Sequence, residues 1–249
     1  MNQKAIFCVV LSLFIAFSSC KDSDNEEEQL ILPAQKIKTI TYYSGKSIIH
    51  HESYEYDSSG RLSKLTYANS LQLTGAYDIY SYASDKIIVE RYDDQETQFD
   101  TDTIRLNANG LVIYRRNSPY SNEYDGKGYL IKSKTVNGAS VPTLITYQIS
   151  NGNTIKMIKE EETVNKIVST KNYTFLPNSV NTIGYENKGM PFYGNQDKNL
   201  IDEVHTTGSN WPEENYTYAY EYDIQIRVTK RETIGAIFSA TETYTYYDN

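Results

Sequence analysis

Late in the chain the residues alternate: Tyr216, Tyr218, Tyr220 and Tyr222 share one parity, and Asn215, Thr217, Ala219 and Glu221 share the other. A period of two puts each set on its own face of a β-strand. From residue 35 onward, aromatic or aliphatic runs enter short polar turns and leave as runs bearing Ile, Leu or Val. No sustained 3.6-residue period occurs beyond the first 19 residues. The turn signals keep a rhythm: Gly60 in YDSSGRL, Asp85 in YASDKII and Gly110 in LNANGLVI stand 25 residues apart. Gly126 with Gly128, Gly152, Asn178, Asn199, Asp223 and Asp248 continue the series. Each unit reads as two strands around a tight reversal whose Asx and Gly residues supply positive φ. Sequential hairpins pair with their neighbours, and a long sheet must then curl, close or pack on itself. The pattern predicts an all-β antiparallel meander of consecutive hairpins, roughly 14 to 18 short strands, in a strongly curved sheet or closed barrel. It forms a single repeat-built domain over 35–249.

The first 19 residues stand apart. Lys4 precedes an apolar run from Ala5 to Phe17, too short to span a bilayer as a helix, and the pattern is that of an export signal. Small Ser18 and Ser19 then precede Cys20, an arrangement that resembles the lipobox of bacterial lipoproteins, in which the chain is cut before a cysteine that receives lipid. Phe17 departs from the Leu, Val or Ile usual there. Residues 20–34 follow as an acidic tether, with Asp22, Asp24, Glu26, Glu27 and Glu28 in a self-repelling run that cannot pack a core. Acidic residues beside the cysteine resemble the signal that carries Bacteroidetes lipoproteins to the outer face of the outer membrane.

Composition narrows the choices. The chain has 24 Lys and Arg against 32 Asp and Glu, and loss of Lys4 with the signal moves the net charge from −8 to −9. Without a cluster of basic residues, a nucleic-acid partner is disfavoured. Cys8 leaves with the signal and Cys20 is acylated, so no disulfide is expected, and stability must come from burial and strand pairing. Mean hydropathy is −0.58, and the alternating strands offer tyrosines on one side and polar residues on the other. That favours a water-solvated barrel with a tyrosine-rich interior over a true porin, whose lipid-facing strand side is apolar.

YEYDSSGRLSKLTY, Tyr54 to Tyr67, is similar to the YD repeat of RHS-type proteins. Tyr56, Asp57, Gly60, Arg61, Leu62 and Thr66 match that pattern, whereas later units keep the rhythm but lose the Arg and often the Gly. The whole chain also resembles the β-rich lipoproteins of gut Bacteroidetes grouped as the domain of unknown function 4595, described as porin-like in fold. KGMPFYGNQDKNL echoes their Asn-Pro-Phe-like segment, with Met190 in place of Asn. The resemblance implies a porin-like fold and carries no catalytic residues with it.

Chemistry is sparse. His50, His51 and His205 are too few for a metal centre, and the adjacent pair points to opposite faces of a strand. Nucleophile elbow, Walker loop and His-Glu-x-x-His motif are all missing. Glu160, Glu161 and Glu162 read as a solvated hairpin end. Asp93, Asp94, Glu96, Asp100 and Asp102 are a weak calcium candidate: hard oxygen ligands are present, but EF-hand spacing and its Gly are not. No cofactor is expected. The segment Gly184 to Pro212 breaks the 25-residue rhythm and holds Phe192, Tyr193, Asn195, Asp197, Asn210 and the sole tryptophan, Trp211. Aromatic faces beside amides and carboxylates suit a glycan or protein surface, and the alternative is that Phe192 and Trp211 plug one end of the sheet. The sequence thus points to a non-enzymatic surface lipoprotein, anchored to the outer membrane, that binds a glycan or another surface protein. The alternative is a structural β scaffold within an outer-membrane assembly; an enzyme or a true porin is a weaker reading.

Overall fold

The computed structural model describes residues 35–69, 75–116, 120–135, 141–163, 166–209, 211–236 and 238–248, with backbone alone at 69, 167, 211 and 212. The signal, the tether with Cys20, and Asn210 lie outside the described residues. The first eight strands are β1 (Ile37–Ser44), β2 (Ser47–Tyr56), β3 (Leu62–Asn69), β4 (Ala76–Tyr82), β5 (Lys86–Tyr92), β6 (Gln98–Leu106), β7 (Val112–Arg115) and β8 (Tyr120–Tyr124). The second eight are β9 (Leu130–Thr135), β10 (Thr143–Ser150), β11 (Asn153–Glu161), β12 (Ile167–Val180), β13 (Asn199–Gly208), β14 (Trp211–Tyr222), β15 (Val228–Gly235) and β16 (Ser239–Tyr246). Every strand pairs antiparallel with its sequence neighbours, and β1 pairs with β16 through partners such as Tyr42 and Glu242, so the sheet is a closed barrel. Among the described residues, closure gives every strand a neighbour on both sides, so none is an edge strand.

One turn design recurs at five reversals, beginning at Asp57, Asp93, Asn107, Asp125 and Asp223. In each, the side-chain oxygen of the first residue accepts the amides two and four positions on. Its backbone carbonyl accepts the amide three positions on. The residue at that third position has positive φ, held by Gly60, Gly110 and Gly128 but also by Glu96 and Ile226. The Tyr-Asp-x-x-Gly-Arg-Leu sequence is therefore a compact machine: Asp57 caps the turn, Arg61 pairs with Asp57 and covers the ring of Tyr82, and Leu62 is fully buried. Arg227 repeats this at Asp223, its guanidinium over Tyr246, so the Arg is kept in the last repeat rather than lost. The regular rhythm fails at Asn178, which lies inside β12. There its φ of 63° and a register slip between Phe175 and Val180 make a bulge instead of a turn. Asn199 likewise opens β13 rather than forming a turn.

Alternation sends one residue set into the barrel. Tyr54, Tyr244 and Tyr246 are buried with Ile37, Ile40, Leu62, Leu200 and Val228 in one core cluster, and Ile87, Val89, Ile104, Val112 and Phe192 form a second. Charged groups also face inward, in pairs. Arg91 meets Asp100 at 2.6 Å and Asp102 at 3.5 Å, Arg115 contacts Asp102, and Arg231 meets Glu242 at 2.6 Å. Inside the barrel a charge is costly unless paired, which explains why these cross adjacent strands. The adjacent histidines do face opposite ways: His50 contacts Glu52 among the interior groups, and His51 joins Thr41 and Ser53 on the outer side.

Candidate functional site

Residues 181–198, between β12 and β13, leave the wall and run around the inner rim at one end. Their contacts follow the barrel's circumference. Thr182 Oγ1 accepts the Val228 amide at 3.0 Å, the Asn187 carbonyl accepts Ile37, and the Gly189 carbonyl accepts Leu62, both at 2.9 Å. Phe192 then packs into the β5–β7 cluster beside Tyr82, and Arg115 Nη1 donates to the Tyr193 hydroxyl at 3.4 Å. The Asn195 amide donates to Gly128, Asp197 Oδ1 accepts the Thr154 amide at 2.6 Å, and the Lys198 amide donates to Gly152. Asn181 and Lys198 close the circuit with a backbone hydrogen bond of 3.0 Å.

Close backbone approach makes this possible. A Cβ at Gly194, where φ is +93°, would stand 2.6 Å from the Gly128 carbonyl and 2.7 Å from the Tyr124 ring. Only glycine lets the segment touch the β8–β9 turn here. Backbone carbonyls and amides that would otherwise be buried without partners are met by the turns themselves.

The plug leaves one side open. A cavity of about 380 Å³ lies between it and the β9–β11 wall, lined by Tyr129, Tyr147, Tyr185, Tyr193, Lys188 and Asp197 among others. Burial raises the Asp197 carboxyl above its ordinary value, although hydrogen bonds from Thr154 pull it down. Burial lowers the Lys188 ammonium, while the charges of Glu52 and Glu242 partly restore it against that of Arg231. Tyr54 is held high by burial and by Glu52, which accepts its hydroxyl.

The structure divides the expected site. Phe192, Tyr193, Asn195 and Asp197 all belong to the plug, with Phe192 in the core and Asn195 bonded to Lys127 and Gly128. Trp211 opens β14 opposite Gly208, at the far end of β13. Ten residues of strand, on the order of 30 Å at its usual rise, separate it from the plug. Its side chain, like Asn210, is outside the described residues. The carboxylate cluster is divided too. Asp93 caps a turn, Asp94 accepts from Gln95, Glu96 holds positive φ, and Asp100 and Asp102 face inward onto arginines. Among the described residues, no group of three or more His, Cys, Asp or Glu is placed to hold a metal ion. Sequence reading missed Lys188 and Tyr185 of the plug itself, and Tyr129 and Tyr147, which the β8–β9 turn and β10 bring to it from far along the chain.

Comparison with known proteins reaches the fold. The chain superposes on a porin-like protein from Bacteroides uniformis with a TM-score of 0.58 at 17% identity, over 86% of this chain and 98% of the other. A porin-like protein from Bacteroides vulgatus gives 0.61 at 10% identity, over 86% and 100%. This is a porin-like barrel fold. No protein-family model and no curated protein matches the chain.

Proposed function

We propose that this porin-like barrel is a non-enzymatic binding module, lipid-anchored through Cys20 at the outer face of the outer membrane. The observation that carries the reading is the plug: the chain fills one end of its own barrel and leaves a tyrosine-lined cavity, which suits retention of a ligand rather than passage. The wall agrees. Outward positions of β14 are Glu213, Asn215, Thr217, Ala219 and Glu221, and Lys230 links Glu221 to Glu232 on the outside. Lipid would leave such charges unsolvated. Strands β7, β8 and β9 have 4, 5 and 6 residues, against the ~9–11 that a membrane-spanning strand needs. A wall of this kind needs a separate attachment, and the lipid at Cys20 supplies it. Fold likeness also supports placing the chain with the β-rich lipoproteins of the domain of unknown function 4595.

A structural scaffold is the second reading, favoured by how many tyrosines are consumed inside the barrel. Two measurements test the proposal. Labelled palmitate should enter the wild-type chain and not Cys20→Ser, and the full chain added to planar bilayers should give no conductance steps. Equal labelling of both chains, or discrete steps, would refute it.

A further inference from the structure

The cavity against β9–β11 can be read more closely, on the premise that the barrel is a binding module. Most of the plug's amides are already used. Asn195 Nδ2 donates to Lys127 at 2.7 Å, Asn181 Nδ2 to Asp197 at 3.0 Å, and Gln196 bridges the Asn181 carbonyl and the Glu186 amide. The other residues that line the space are different in kind. The hydroxyls of Tyr129 and Tyr185 and the ammonium of Lys188 make no hydrogen bond or ion pair among the described residues, and all three residues line the cavity. Asp197 has one oxygen on the Thr154 amide, and a carboxylate has about four acceptor sites in all. Four tyrosine rings form the walls, with Tyr185 and Tyr193 tilted against each other at 5.0 Å and Tyr185 itself 48% exposed.

These groups narrow the choice. An apolar ligand would strand Lys188 and Asp197 without water or partners. An anion would meet the Asp197 carboxylate, and a cation would meet Lys188. A neutral molecule with many hydroxyls satisfies both, because each hydroxyl can accept from the ammonium and donate to the carboxylate. Aromatic walls further require flat apolar C–H faces on the same molecule. Sugar rings combine these features. We infer that the cavity is a binding site for a neutral saccharide of about one or two rings, in keeping with a volume near the lower end of the ~300–1,000 Å³ usual for small-molecule sites.

The test uses the full-length chain in a sugar-free detergent and saturation-transfer NMR. Probes are the methyl glycosides of glucose, galactose, mannose and N-acetylglucosamine, with lactose, cellobiose and maltose; galacturonate and glucosamine serve as charged counterparts. A neutral probe should bind. Tyr185→Ala, checked as folded by its melting curve, should weaken that binding about tenfold, and Lys188→Met should weaken it as well. Phe99→Ala, an exposed ring 60% accessible on the outside of β6, should leave it unchanged. Binding that survives both cavity substitutions but is lost in Phe99→Ala keeps the module and overturns its placement in the cavity. Tighter binding of a charged probe overturns the neutral class. If the folded wild-type chain binds no saccharide, the inference fails. The broader binding reading fails only if a thermal-shift screen of peptides and polar metabolites also finds no ligand.

Discussion

The amide of Leu62 donates to the carbonyl of Gly189 at 2.9 Å, joining the first residue of β3 to the middle of the plug. The two backbones lie so close that a Cβ at Gly189 would stand 2.7 Å from the Leu62 nitrogen and 2.7 Å from the Tyr56 ring, at a φ of +69°. Gly189→Ala should therefore destabilise the fold by at least the roughly 1–2 kcal/mol that a left-handed alanine costs. Urea denaturation checks this, and an unchanged midpoint would mean that the plug yields freely.

Phe192 anchors the same segment from its other side. It is 5% exposed among Ile87, Val89, Ile104 and Val112. Phe192→Ala should cost about 3–5 kcal/mol, as large-to-small core changes do. The melting temperature reports it, and amide exchange should quicken at Ile37 and Leu62, whose donors end on the plug.

Ile226 offers the opposite case. A β-branched residue at φ 60° in a turn where three other repeats use glycine carries local strain, and its side chain is 69% exposed. Relief of about 1–2 kcal/mol is offset by the extra entropy glycine loses on folding, about 0.5–1 kcal/mol. Ile226→Gly should leave a net gain of up to about 1.5 kcal/mol, read as a higher urea midpoint.

Asp197 makes stability depend on pH. Burial raises its carboxyl above the ordinary 3.8, so folding favours the protonated form. That contribution is complete below 3.8 and is lost as pH rises through the folded value. Asn can still accept the Thr154 amide without a charge. Asp197→Asn should raise stability at pH 7 and have a much smaller effect at pH 3, measured by urea denaturation at each; an equal change at both would contradict this cause. Asp57 has the reverse sign: amide hydrogen bonds from Arg61 and Ser59 lower its carboxyl, and that contribution is lost as pH falls through the folded value.

Much of the barrel was legible because its information is local. Tyr216 to Tyr222 alternate, and the Asp57 and Asp223 turns carry their own caps, so hairpins follow from a few neighbouring residues. Barrel closure depends on Ile37 meeting Tyr246 across nearly the whole described chain, which no local pattern encodes. The segment around Phe192 stood out because it broke the rhythm. Trp211 stands apart from it in the fold because β13 lies between them and carries the chain to the opposite end. The cavity was invisible for a related reason: Tyr129 and Tyr147 belong to ordinary strands and turns, and only the plug's circuit brings Lys188 and Tyr185 before them.

The central claim is that a water-solvated, plugged barrel is held at the membrane by lipid rather than by its wall. Fractionation of cells expressing the wild-type and Cys20→Ser chains tests it most directly. The wild type should remain with the membrane until detergent is added, whereas exported Cys20→Ser should appear in the soluble fraction with the same cooperative melting and β-rich circular dichroism. A Cys20→Ser chain that stays in the membrane pellet through carbonate washing would contradict the account, because the barrel wall itself would then be holding the bilayer.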